Sequence, residues 1–282
     1  MILTTVLAVA LATAQTNAPA STGGTPPGEA EAKAALDRSP RHGEWIDVPG
    51  PAEQALRSFV VYPERATRAP VVIVIHEVYG LTDWIRAVAD QLAANGLIAV
   101  APDLLSGKGV DSGGTESIPS RDDVVQRIRG LAAEEVNARL DAVRAWAVAL
   151  PAANGKSATL GFCWGGGRSF AYAAHQASLD AAVVYYGASP SDPAELARVK
   201  APILGLYGSD DARVNTTIAP AETELKRLGR TYEAVLHEGA GHGFLRALEG
   251  RDGANRRAAD AAWPRTIEFL RAHLEVSPPA RP

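Results

Sequence analysis

Cysteine is nearly absent from this sequence: among 282 residues it occurs once, at position 163. No disulfide can form within the chain, so whatever the thiol does, it does not staple the fold. An excess of positive charge is also missing. Lys and Arg number 28 against 32 Asp and Glu, and a net charge of -4 leaves no electrostatic footprint for nucleic acid or an anionic membrane. The apolar run Ile2 to Ala12 is too short to span a bilayer. No internal repeat is visible, and the spacings of His, Asp and Glu form no metal cluster. A small-molecule substrate and no cofactor are the simpler expectation, in a chain expected to be a monomer.

What is present is an ordinary globular composition, 46% hydrophobic and 21% charged, with enough length for one large core. The run Ile2 to Ala12 has the length of a signal-peptide core, and Ala12-Thr13-Ala14 follows with small residues at the cleavage spacing, although no Lys or Arg precedes the run. Residues 1–14 therefore read as a signal peptide, and the location as periplasmic or secreted; without that signal it would be cytoplasmic. Gln15 to about Gly28 is Ala, Pro, Thr, Ser and Gly, and residues 15–40 are expected to be a flexible tether. A domain over 41–276 and a tail over 277–282 complete the chain. No Cys follows the cleavage site to take a lipid, so no stable membrane anchor is expected. A lone thiol in an oxidising compartment is exposed to damage with no structural return, and it calls for a chemical reason.

The domain alternates short apolar runs with helical patterns. Trp45 to Val48 and Leu56 to Tyr62 read as strands; Val71 to Ile75 is β-branched without alternation, as suits a strand covered on both faces. Thr82 to Asn95 has helical spacing, with Thr82 or Asp83 as N-cap and Gly96 as stop. The rhythm continues through strands at Leu97 to Val100, Ala158 to Gly161, Ala181 to Tyr186, Ile203 to Tyr207 and Thr231 to Leu236. Helices are expected at Leu131 to Leu150, after Gly165, at Thr217 to Leu228 and at Asn255 to His273. The fold class is α/β, a mostly parallel twisted sheet with helices on both faces. Leu104 to Ser120, rich in Gly and Ser, reads as an excursion above the sheet.

Gly161-Phe162-Cys163-Trp164-Gly165 lies between an apolar strand and a helical segment, in the pattern of a nucleophile elbow with Cys in the usual place of Ser. Such a corner is strained and crowded, which explains small residues on both sides, and it aims the thiol at a helix N-terminus whose partial positive charge favours a thiolate. In the order of this architecture, an acid and then a base follow the nucleophile, each in a loop after a strand. Asp210 and Asp211 follow Ile203 to Tyr207, and Gly241-His242-Gly243 follows the strand ending at Leu236. His242 can take the thiol proton, and one of the two aspartates can hold the other ring nitrogen while its neighbour caps the next turn. His42, His175, His237 and His273 lie outside any such loop.

From about residue 56 to 272 the chain resembles the dienelactone hydrolase, or carboxymethylenebutenolidase, family of the α/β-hydrolase fold. The resemblance is carried by His76-Glu77-Val78-Tyr79-Gly80, Ala101-Pro102-Asp103-Leu104, the elbow at Gly161 to Gly166 and Gly241-His242-Gly243-Phe244. It implies a Cys163, His242 and Asp211 triad, the family register through Val214 selecting Asp211 over Asp210. It implies that Glu77 contacts the resting thiol and controls its ionisation, and a carboxylate there raises a thiol pKa until substrate changes the arrangement. It implies an oxyanion hole of the Trp164 and Val78 backbone N–H groups. Arg246 matches one of the arginines that grip an anionic substrate in the family. Arg121 lies near the place of a second, in a local sequence that departs from the pattern.

The expected reaction is hydrolysis of a small ester or lactone through a thioester acyl-enzyme. A catalytically silent exported binding domain on the same scaffold is the alternative, which the ordered nucleophile, acid and base argue against. Gly165-Gly166-Gly167-Arg168 lacks the Lys and Ser/Thr ending of a phosphate-binding loop.

Overall fold

The computed structural model describes residues 23–275. The expected signal peptide, residues 1–14, lies outside them, as do 15–22 of the expected tether and the whole of the expected tail, 277–282. Eight strands form one sheet: β1 (Gly43–Pro49), β2 (Ala55–Val61), β3 (Ala69–Ile75), β4 (Ile98–Pro102), β5 (Ala153–Phe162), β6 (Ala181–Tyr185), β7 (Ile203–Gly208) and β8 (Tyr232–His237). Their order is β1-β2-β4-β3-β5-β6-β7-β8. β2 runs antiparallel to β1 and β4, and the pairings from β4 through β3 to β8 are parallel.

The apolar run at Val71 to Ile75 becomes β3, and its pleat divides it between two cores. Val72 and Val74 enter one, while Val71, Ile73 and Ile75 enter the other, all fully buried. The first core is closed by the long helices α2 (Asp83–Ala94), through Trp84, Val88 and Leu92, and α9 (Ala254–Leu274), through Trp263, Ile267 and Leu270. The second is closed by α4 (Ala133–Val148), α5 (Trp164–His175) and α8 (Ile218–Arg227), through Leu140, Phe170 and Leu225 among others. α2 begins and ends where its residues direct. The Thr82 side chain accepts the Ile85 N–H, and Gly96, at φ 90°, turns the chain so that the Gly96 and Leu97 N–H groups reach the carbonyls of Ala93 and Leu92.

Two helices fall where no helix was expected, besides the short turns α6 (Pro193–Leu196) and α7 (Ala212–Asn215). The first, α1 (Glu29–Asp37), corrects the tether: within 23–40 the chain is folded against the domain. Thr25 Oγ1 donates to Asp260, Trp84 Nε1 donates to the Pro27 carbonyl, and the Glu29 N–H donates to the Arg246 carbonyl at 3.0 Å. Ala32 alone is buried within α1, so docking rather than an amphipathic stripe orders this segment. The second is α3 (Arg121–Arg129), which directly follows the excursion, is capped by Ser120 and is anchored by Val124 and Ile128. The excursion itself is held by Asp103, whose carboxylate takes the N–H groups of Leu105 and Thr115 and the Thr115 hydroxyl. No helix among the described residues is long and apolar enough to cross a membrane.

Candidate active site

The tight corner between β5 and α5 carries Cys163 with φ 55° and ψ -115°, a backbone conformation that costs a non-glycine residue free energy. A Cβ at Gly161 would lie 2.0 Å from the Gly165 carbonyl oxygen, and one at Gly165 would lie 2.3 Å from the carbonyl oxygens of Ile75 and His76. The corner exists only because both positions are glycine. It seats Cys163, half-buried, at the N-terminus of α5, where its own N–H donates to the Tyr185 carbonyl at 3.0 Å.

At the carboxyl ends of β7 and β8, two loops are pressed together. The Asp210 N–H donates to the Ala240 carbonyl at 3.0 Å, and a Cβ at Gly208 would collide with that same carbonyl at 2.3 Å. Asn215 pins the first loop by donating to the carbonyls of Gly208 and Ser209. This brings Asp211, buried, to His242, whose Nδ1 lies 2.5 Å from Asp211 Oδ2. Asp210 turns outward and pairs with Arg251 at 2.6 Å, so neither of its expected duties, orienting the ring or capping the next turn, is what it does.

Cys163 and His242 line one cleft of about 740 Å³, together with Val78, Tyr79, Trp164 and Tyr186. Among the described residues no hydrogen bond joins the sulfur to the imidazole. Instead the thiol is held protonated. Burial first, then the charge of Glu77, push it up to about 11, against the Trp164 N–H, Arg213 and Arg246, which pull it down. The helix N-terminus thus acts in the expected direction and is outweighed. Glu77, itself buried, is raised to about 7 by burial, with Arg246 opposing. Arg246 Nε approaches Glu77 Oε2 at 2.7 Å but off the N–H axis, so the contact is an ion pair without an aligned hydrogen bond.

His76, preceding Glu77, is a structural member of the site. Its Nε2 accepts the Leu104 N–H at 3.2 Å, and its ring stacks on Trp164 with centroids 5.9 Å apart. The Val78 N–H has no acceptor among the described residues, and it belongs to the loop that follows β3 beside the elbow. Arg246 does not line the cleft. Its guanidinium is taken by Glu77 and by Glu29, and it lies with Arg121 against the ring of Tyr79.

Other residues at the site were not expected. Arg129, Arg168 and Arg213 line the cleft, with Glu195 as an acidic counterpart. Tyr186 is fully buried at φ 40°, its ring edge-on to His242 with centroids 5.1 Å apart, its hydroxyl without a partner among the described residues. The sequence reading ended a strand on Tyr186, whereas β6 ends at Tyr185, so Tyr186 opens a loop after a strand, the kind of position that drew attention to Asp211 and His242.

The family model for the dienelactone hydrolase family matches residues 56–274. A protein of Salmonella typhimurium that carries the provisional name carboxymethylenebutenolidase is 34% identical over 219 residues, covering 71% of this chain and 76% of its own. A Bradyrhizobium protein provisionally named 2-oxo-3-(5-oxofuran-2-ylidene)propanoate lactonase is 28% identical over 243 residues, covering 82% and 94%. Among solved structures, a provisionally assigned dienelactone hydrolase from Klebsiella pneumoniae superposes with a TM-score of 0.71 at 26% identity, covering 82% of this chain and 98% of its own.

Proposed function

The chain belongs to the dienelactone hydrolase family and is a hydrolase of ester or lactone bonds, and from that premise we propose that Cys163, His242 and Asp211 perform the hydrolysis as a triad. The observation that carries this reading is the pairing of His242 Nδ1 with the buried Asp211 carboxylate at 2.5 Å, in the cleft that also holds the only thiol in the chain. An aspartate on Nδ1 leaves Nε2 as the free base and stabilises the imidazolium once it forms.

In the proposed reaction, His242 Nε2 removes the Cys163 proton and the thiolate attacks the acyl carbon. Charge gathers on the former carbonyl oxygen, for which the N–H groups of Trp164 and Val78 are the donors. The C–O bond to the alcohol breaks, the imidazolium proton passes to the leaving oxygen, and a thioester on Cys163 remains. With a lactone the leaving oxygen stays tethered to the acyl chain. Water, deprotonated by His242, then attacks the thioester, and the departing sulfur recovers its proton.

The raised thiol supports a resting state in which the nucleophile is held neutral and protected, and is ionised only when substrate enters the cleft. This suits the export read from residues 1–14, since a protonated thiol is less readily oxidised. The test is a panel of neutral esters and lactones, p-nitrophenyl acetate and dihydrocoumarin, with acid quenching and mass analysis. The expected result is turnover and a transient acyl adduct on Cys163, both lost in Cys163→Ala. Turnover that survives in Cys163→Ala would overturn the proposal.

A further inference from the structure

We propose that Glu29 is a built-in carboxylate that occupies an anion site formed by Arg121 and Arg246, and that it thereby turns the enzyme toward neutral esters and lactones and away from substrates carrying a free carboxylate. This deepens the proposed function and rests on it for the identity of the site.

The geometry is that of one carboxylate held by two guanidinium groups. Arg121 Nη2 lies 3.3 Å from Glu29 Oε1, and Arg246 Nη1 donates to Glu29 Oε2, so each oxygen has its own cation. The two arginines come from distant elements, α3 and the loop after His242, and neither is the other's partner. Tyr79 lies against both, with the Arg121 guanidinium 3.7 Å and that of Arg246 5.2 Å from its ring centroid. Tyr79 in turn lines the cleft that contains Cys163. Two cations fixed on one aromatic face at the margin of a reaction cleft form a receptor for a small carboxylate. In this chain the receptor is filled from within.

Glu29 is not a chance surface partner. Its backbone N–H donates to the Arg246 carbonyl at 3.0 Å, so main chain and side chain clamp the same residue. The segment leading to it is docked through Thr25 and Pro27, and it lies ahead of the span, residues 56–274, that the family model matches. A carboxylate held on a docked helix has an effective concentration in the millimolar range or above. A substrate carboxylate at micromolar concentration therefore does not displace it.

The site also reaches the nucleophile. Arg246 contacts Glu77, and the charges of Glu77 and Arg246 act in opposite directions on Cys163. Whatever binds Arg246 in place of Glu29 thus sits one ion pair from the group that holds the thiol protonated.

The experiment compares the unmodified protein with Glu29→Gln, Glu29→Gln/Arg121→Gln and, as a control for a lost surface charge, Glu31→Gln. Two readouts are taken: binding of glutarate by calorimetry, and the ratio of kcat/KM for mono-p-nitrophenyl glutarate to that for p-nitrophenyl acetate. In Glu29→Gln, glutarate should bind at least tenfold more tightly and the ratio should rise about tenfold. The double variant should lose both gains, and Glu31→Gln should show neither. Glutarate affinity and ratio within twofold of the unmodified protein in Glu29→Gln, with its thermal transition intact, would overturn the proposal. The same changes in Glu31→Gln would overturn it equally. If no variant hydrolyses either ester, the functional reading fails, while the glutarate measurement still decides the role of Glu29.

Discussion

Arg246 Nε lies 2.7 Å from Oε2 of the buried Glu77, and the charges of the two residues act in opposite directions on the Cys163 thiol. Glu77 is a carboxylate in a poor place for one. Burial lifts it to about 7, and the pairing with Arg246 only partly offsets that cost.

The first prediction concerns Glu77→Gln and has a definite sign. A carboxyl whose folded pKa is raised above its unfolded value binds more protons when folded, so its ionisation costs stability. That cost is absent below about pH 4.5 and grows to roughly 3 kcal/mol as pH rises through 7. Glu77→Gln should match the unmodified protein in Tm near pH 5 and exceed it by several degrees at pH 8.5, measured by circular dichroism. Removing the same charge should lower the thiol pKa, so iodoacetamide should label Cys163 roughly tenfold faster at pH 8. Equal labelling rates would show that Glu77 does not govern the thiol.

A second prediction separates the two aspartates. Asp211→Asn keeps the contact with His242 but inverts its polarity, favouring the wrong tautomer, and turnover of p-nitrophenyl acetate should fall by about 10³ to 10⁴. Asp210→Asn disturbs only an exposed pair with Arg251 and should stay within about twofold in turnover and about 0.5 kcal/mol in stability. Comparable losses in both would return the choice between them to open.

That choice shows where the sequence was legible. Val71 to Ile75, with no alternation, announced a strand buried on both faces, and β3 divides its side chains between two cores as such a strand must. The elbow was legible because steric need leaves only glycine at 161 and 165. By contrast, spacing could not distinguish Asp210 from Asp211, since both follow β7; in space the 208–211 loop, pressed against Ala240, turns Asp211 to His242 and Asp210 to Arg251. α1 was not legible at all. A helix with one buried residue carries no stripe, and its order comes from contacts with Trp84, Arg246 and Asp260, distant along the chain. Arg246 was a candidate substrate contact through the family resemblance alone, and its engagement by Glu29 could be seen only in space.

The glycines of the elbow supply a third prediction. A Cβ at Gly161 meets backbone, not the flexible end of a side chain, so nothing nearby can yield without moving the corner itself. Gly161→Ala should cost about 3 kcal/mol or more and displace Cys163, with loss of both thermal stability and turnover. A variant that retains the parent Tm would mean that the corner is softer than its contacts imply.

The last prediction concerns Tyr186, whose hydroxyl is buried, raised well above its ordinary pKa by that burial and without a partner among the described residues, while its ring packs edge-on against His242. An unsatisfied buried hydroxyl costs about 1 to 3 kcal/mol. Tyr186→Phe removes the hydroxyl and keeps the ring, so Tm should rise by several degrees, at about 2 to 4 °C per kcal/mol for a domain of this size. The hydroxyl faces burial beside the Cys163 cleft, with the charges of Glu77 and Cys163 among the influences on it. A donor retained there against a stability cost is expected to serve the reaction, by hydrogen-bonding the bound acyl group or the ionised sulfur. Tyr186→Phe should therefore be more stable and slower, with kcat for p-nitrophenyl acetate down about tenfold and KM little changed. A variant that is more stable and equally fast would show the hydroxyl to be an uncompensated polar group; one that is less stable would show that it has a partner after all.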